Sequence, residues 1–148
     1  MKDGSHKEKG DASSGAFFMK QTEKLDCACG IIACIHSVLN NQASITVPED
    51  SVLGRFYQAT SGKTPDEIAT LLENNDEFKS THATFAAQGQ SEQANCEENV
   101  RYHFIAFVRN EAGNLIEYDG LKKGPLVVQE ACENLLKDTA NILLKRVE

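Results

Sequence analysis

At 148 residues, with 41% hydrophobic and 25% charged side chains, the chain has the length and composition of one globular domain. A formal charge of −7 and an isoelectric point near 5.1 argue against nucleic acid or an anionic membrane surface, both of which demand clustered Lys and Arg, and leave a basic partner open. No stretch approaches the roughly 18 apolar residues of a membrane span, and the polar start MKDGSHKEKGDASSG lacks a signal-peptide core, so a cytoplasmic or nuclear protein is expected. Five cysteines (Cys27, Cys29, Cys34, Cys96 and Cys132) make an odd number without framework spacing, which favours free thiols in a reducing compartment.

Residues 1–15 lack periodicity and read as a disordered leader or linker, leaving 16–148 as a single domain. Ala16 to Thr22 begins with a short apolar run, either a strand end or a staple leading into a helix. Asp26 is an acceptable helix cap. Beyond it Ile31, Cys34, Ile35, Val38 and Leu39 recur at helical spacing, with Ile32 widening the stripe, and predict a core-facing helix that stops near Asn40-Asn41. SVLGRFYQA predicts a short amphipathic helix ending before Ser61-Gly62. Thr64, Pro65 and Glu67 form a capping-box signature for the next helix, with Ile68, Leu71 and Leu72 on its buried face. Ala86 to Arg101 is polar, without an apolar period, and has the length of a functional loop.

Tyr102 to Val108 and Asn114 to Asp119 are β-type runs joined by RNEAG, a hairpin signal. A turn centred on Glu111 sets Phe107 opposite Leu115 and His103 opposite Asp119, within hydrogen-bond reach because directly opposed residues have Cβ atoms about 4.5 to 5.5 Å apart. After Gly124-Pro125 an amphipathic helix is expected to close the domain, burying Ala131, Leu135, Ala140, Ile142, Leu143 and Leu144.

Cys29 stands where a helix N-terminus favours the thiolate through its unpaired N–H groups and positive dipole end. Acyl transfer on such a thiol needs a histidine to share the proton, a carboxylate to orient the imidazole, and a donor for the oxyanion. His103, Asp119 and Gln21 can fill these roles. His36 lies seven residues along the same helix, about 10 Å up its axis at about 1.5 Å per residue, and reads as a hydrogen-bonded histidine packed beneath the site. Taken singly, a cysteine at a helix start is more often a small core residue, and a His-Asp pair across a hairpin is more often structural. Cys27, Cys29, Cys34 and His36 crowd one stretch, but zinc sites use C-x₂₋₄-C pairs with a distant second pair, and a rigid helix points these side chains apart.

Gln21, Cys29-Gly30, Ile35-His36-Ser37 and Asn40-Asn41, followed by His103-Phe104-Ile105 and Glu117-Tyr118-Asp119-Gly120, together resemble the ubiquitin carboxyl-terminal hydrolase family of cysteine peptidases. FMKQT and LLKD are also similar to family segments, and the resemblance spans Ala16 to Lys145. It implies an α/β domain of α+β type with the papain-like cysteine peptidase fold, a mainly antiparallel sheet flanked by helices. It further implies a deubiquitinase acting on ubiquitin or a ubiquitin-like protein without metal or organic cofactor. Cys29 would be nucleophile, His103 general base, Asp119 its orienter and Gln21 part of the oxyanion hole, with Ala86 to Arg101 as a crossover loop.

The family has six residue steps from glutamine to nucleophile. Gln21 to Cys27 is six and Gln21 to Cys29 is eight; the glycine and IHS context favour Cys29, which makes EKLDCA the site of a two-residue insertion. The family domain normally begins some tens of residues earlier and ends with a further strand, so an incomplete domain is expected. The alternative function is a catalytically inactive ubiquitin-binding or regulatory module on the same fold.

Overall fold

A computed structural model describes residues 15–89 and 103–147. Its elements are a 3₁₀ helix Glu23–Ala28, α1 Cys29–Leu39, α2 Val52–Ala59, α3 Pro65–Glu73, α4 Asp76–Gln88, β1 Ala106–Arg109, β2 Leu115–Tyr118, β3 Leu126–Gln129 and α5 Leu135–Val147. The expected loop is helical at its start, because α4 runs to Gln88; residues 90–102, with most of the expected crossover segment and Cys96, lie outside the described residues.

Local chemistry sets the first helices. The Ser51 hydroxyl accepts from Gly54 N at 3.0 Å to start α2. At α3 the expected capping box is complete: Thr64 Oγ1 accepts from Glu67 N at 3.2 Å while a Glu67 carboxylate oxygen accepts from Thr64 N at 2.7 Å, with Pro65 in the first turn. These two helices pack on α1. Ile32, Ile35 and Leu39 meet Met19, Phe56, Ile68, Ala69 and Leu72 in one apolar cluster. Each of the larger side chains contributes about 1.5 to 3 kcal/mol when fully buried. The buried stripe of α1 is Ile32, Ile35, His36 and Leu39, one step round from the expected face, and it leaves Cys34 exposed. The shift follows from the sheet, which packs His36 inward against Tyr118, with ring centroids 5.3 Å apart.

Residues 16–20 run extended between the two halves of the molecule. Successive side chains of an extended chain point to opposite sides, so Met19 enters the helical cluster while Phe18 enters a second one with Ala106, Val108, Ile116 and Tyr118. No ladder holds this segment. Phe17 N donates to Asn40 Oδ1 at 2.8 Å and Asn40 Nδ2 donates back to Phe17 O at 2.9 Å, while Met19 N donates to His36 Nε2 at 3.1 Å.

The sheet is antiparallel, with strands in the order β1-β2-β3. Its hairpin corrects the expected register: Phe107 pairs with Glu117 and Ala106 with Tyr118. The turn is a three-residue loop in which Gly113 N donates to Asn110 O at 3.0 Å and Gly113 takes a φ of 82°, a left-handed conformation that glycine adopts without strain. Centring the turn one residue later moves the pairing by two, so the same side chains still share each face. Ala106, Val108, Ile116 and Tyr118 face α1, whereas Phe107 and Glu117 meet Arg146 of α5, so the sheet lies between these helices. Strand β3 is an addition to the expected elements; its signal, Val127-Val128 after Gly124-Pro125, is only a few residues long.

Helix α5 forms where expected but does not bury what was expected. None of its residues is buried; Leu136 is 82% and Leu144 63% exposed, and Ala131, at φ 51°, precedes the helix. Its apolar stripe has no covering element among the described residues.

Candidate active site

The end of the sheet where β1 begins and β2 finishes gathers most of the residues singled out in the sequence. Continuing the ladder sets Asp119 opposite Ile105, with His103 two residues further out. The diagonal is within reach of both side chains: His103 Nε2 and Asp119 Oδ1 are 2.7 Å apart. The same carboxylate oxygen accepts from Leu121 N at 3.0 Å, and the residue is buried, so its orientation is held from two sides. The His103 side chain is 29% exposed, open enough to meet a substrate.

Gln21 is tied to this corner through its backbone, whose N–H donates to Gly120 O at 2.9 Å. The approach requires glycine: a Cβ on residue 120 would stand 2.9 Å from Gln21 Cβ and 3.0 Å from its nitrogen. The start of α1 borders the same corner, since a methyl placed on Gly30 would meet the Phe104 ring at 3.7 Å. The residues next to Cys29 and His103 are thus neighbours, and Cys29 is half-buried with a free thiol.

The setting of Cys29 differs from the expected helix terminus. The 3₁₀ helix Glu23–Ala28 runs into α1, Asp26 lies inside it rather than capping α1, and the residue before α1 is Ala28. The six residues EKLDCA, where an insertion was expected, are therefore wound into helix, and Cys27 lies among them. The unpaired N–H groups belong to the start of this composite helix and not to the turn of Cys29.

His36 sits beneath the corner, fully buried, stacked on Phe18 at 5.4 Å and 3° between ring planes. Burial depresses its pKa to about 4, against the opposing pull of Asp119 and the Met19 N–H bond, so it is neutral and accepts at Nε2. This is the packed histidine expected from its position. Burial also pushes the Tyr118 hydroxyl up to about 12. No group of three or more metal-ligating side chains occurs among the described residues.

Glu117 is the feature that the sequence reading passed over. A carboxylate inside LIEY, on the central strand of the sheet, is itself a signal. Its side chain is 1% exposed and pairs with Lys122 Nζ at 2.9 Å and with the Arg146 guanidinium.

Comparison with known proteins places the chain in a family. The family model described as ubiquitin carboxyl-terminal hydrolase, family 1, matches residues 1–148. The chain belongs to this family. It is 39% identical over 145 residues to a probable ubiquitin carboxyl-terminal hydrolase of Dictyostelium discoideum, covering 95% of this chain and 55% of that protein. It is 35% identical over 133 residues to human ubiquitin carboxyl-terminal hydrolase isozyme L1, covering 89% and 57% respectively. The chain thus spans little more than half the length of these hydrolase-family relatives. The crystal structure of the Trichinella spiralis UCH37 catalytic domain bound to ubiquitin vinyl methyl ester superposes with a TM-score of 0.66 at 18% identity, covering 89% of this chain and 56% of that one. The fold is the α/β fold of that catalytic domain, as expected.

Proposed function

We propose that this chain carries out thiol-dependent hydrolysis of the bond after the C-terminal residue of ubiquitin or a ubiquitin-like protein, in a cytoplasmic or nuclear setting that keeps its thiols reduced. The supporting observation is the His103–Asp119 pair, 2.7 Å apart at the corner that Gln21 and the start of α1 also border. With Asp119 on Nε2, the Nδ1 atom of His103 takes the proton of the Cys29 thiol, and the thiolate attacks the carbonyl carbon. Gln21 donates to the oxyanion. His103 returns the proton to the leaving amine, leaving a thioester, and then accepts a proton from the water that hydrolyses it.

Ubiquitin carrying a C-terminal vinyl methyl ester tests this directly. The expected result is a covalent adduct of one ubiquitin, absent in Cys29→Ala, retained in Cys27→Ala and formed at least about a hundredfold more slowly in His103→Ala. No adduct with the wild type, or an adduct that persists in Cys29→Ala, overturns the assignment. The inactive binding module is favoured by a separate observation, the 3₁₀ helix that removes Cys29 from a free helix terminus. It predicts ubiquitin affinity without any adduct.

A further inference from the structure

We propose that Glu117 is a positioning residue that fixes Asp119 and Gln21 through the Asp119–Lys122 loop; the inference rests on the catalytic reading for the roles of those two residues. Burying a carboxylate costs several kcal/mol unless it is paired, and a well-packed apolar side chain at the same position is often no less stable. A buried, doubly paired Glu117 on β2 therefore calls for a reason other than stability, and its partners supply one. Lys122, which contacts Glu117 Oε1 at 2.9 Å, closes the four-residue turn that presents Asp119 at the start of the connection from β2 to β3. Within that loop Lys122 N donates to Asp119 O at 3.0 Å and Leu121 N to Asp119 Oδ1 at 3.0 Å. Across it, Gly120 O receives Gln21 N at 2.9 Å and Lys122 O receives Lys20 Nζ at 2.7 Å. The turn is thus held at its start by β2, at its closing residue by the Glu117–Lys122 ion pair, and along its side by Lys20 and Gln21. One carboxylate sets the loop from which both the orienting group and the oxyanion donor take their places. The other Glu117 oxygen faces Arg146, whose guanidinium also stands 5.8 Å from the centroid of the Phe107 ring, and that arm belongs to the seating of α5.

The two arms make a positioning role separable from a structural one. The measurement is the rate of Cys29 alkylation by iodoacetamide as a function of pH, read by peptide mass mapping on the full chain, with helicity followed by circular dichroism. No ubiquitin enters it, so its outcome is independent of the vinyl methyl ester assay. Expected are a slowed neutral-pH reaction in Asp119→Asn, and a displacement of the profile in the same direction, by about tenfold in rate, in both Glu117→Gln and Lys122→Met. Arg146→Met should leave the profile unchanged while loosening α5. Where Glu117→Gln fails to fold, Lys122→Met carries the test, because Lys122 is half-exposed. Superposition of Lys122→Met on the wild-type profile overturns the proposal, as does an Arg146→Met displacement equal to that of Lys122→Met. An Asp119→Asn profile identical to wild type overturns the role of Asp119 and the proposal with it.

Discussion

Helices α1 and α5 are alike in sequence character and opposite in situation. Both carry apolar residues at helical spacing, in CGIIACIHSVL and LLKDTANILLKRV. Helix α1 is clamped between two clusters and buries Ile32, Ile35, His36 and Leu39, whereas α5 has no buried residue and reaches Glu117 and Phe107 of the sheet with Arg146. A periodic pattern defines a face; whether that face has a partner depends on the rest of the fold. The candidate catalytic residues lie with the clamped helix and the sheet end it borders, on elements whose other faces are packed.

The comparison breaks first at Ile35. Ile35→Ala removes side-chain volume from the helical cluster and should lower unfolding free energy by about 3 kcal/mol, read as a shift in urea midpoint at constant m-value; a change no larger than that of a surface residue would mean α1 is not clamped. The next largest effect belongs to His36. Its folded pKa, about 4, lies below the ordinary 6.5, so its contribution to stability is fully present above pH 6.5 and is lost as pH falls towards 4. The difference corresponds to about 3 kcal/mol. His36→Gln, which can still accept from Met19 N, should remove this part of the acid slope; parallel slopes in wild type and variant would show that His36 is not held neutral. The smallest effect is expected on α5, where Leu144→Ser should change stability by less than about 0.5 kcal/mol. A loss several times larger would reveal that the stripe is covered in solution.

The sequence disclosed most of what packing dictates locally. The α3 capping box, the limits of α2 and the existence of α1 follow from hydrogen-bond chemistry and periodicity within a few residues, and the structure contains all three. The His103–Asp119 pair was legible for a subtler reason: the assumed turn was off by one residue, but the error shifted the pairing by two and preserved the face. What remained hidden depends on distant partners. The inward turn of His36, the exposure of Cys34 and the open stripe of α5 are decided by where the sheet lies, and no local pattern encodes that. Strand β3 is too short to announce itself, and the winding of EKLDCA into a 3₁₀ helix carries no periodic signal in the sequence. Glu117 was visible throughout as a charge inside an apolar strand, and its meaning came only with Lys122 and Arg146 beside it.

The Asn40 carboxamide has a consequence of a different kind. By donating to Phe17 O and accepting from Phe17 N, it imitates the peptide unit of an adjacent strand, one residue long. An extended segment with free amides is a template on which another chain can grow. At Phe17 both template groups are already spoken for by a side chain of the same molecule, so an intruding strand would have to displace Asn40 from the end of α1 before it could pair there. A single amide side chain thereby occupies the backbone groups of Phe17 four residues before Gln21.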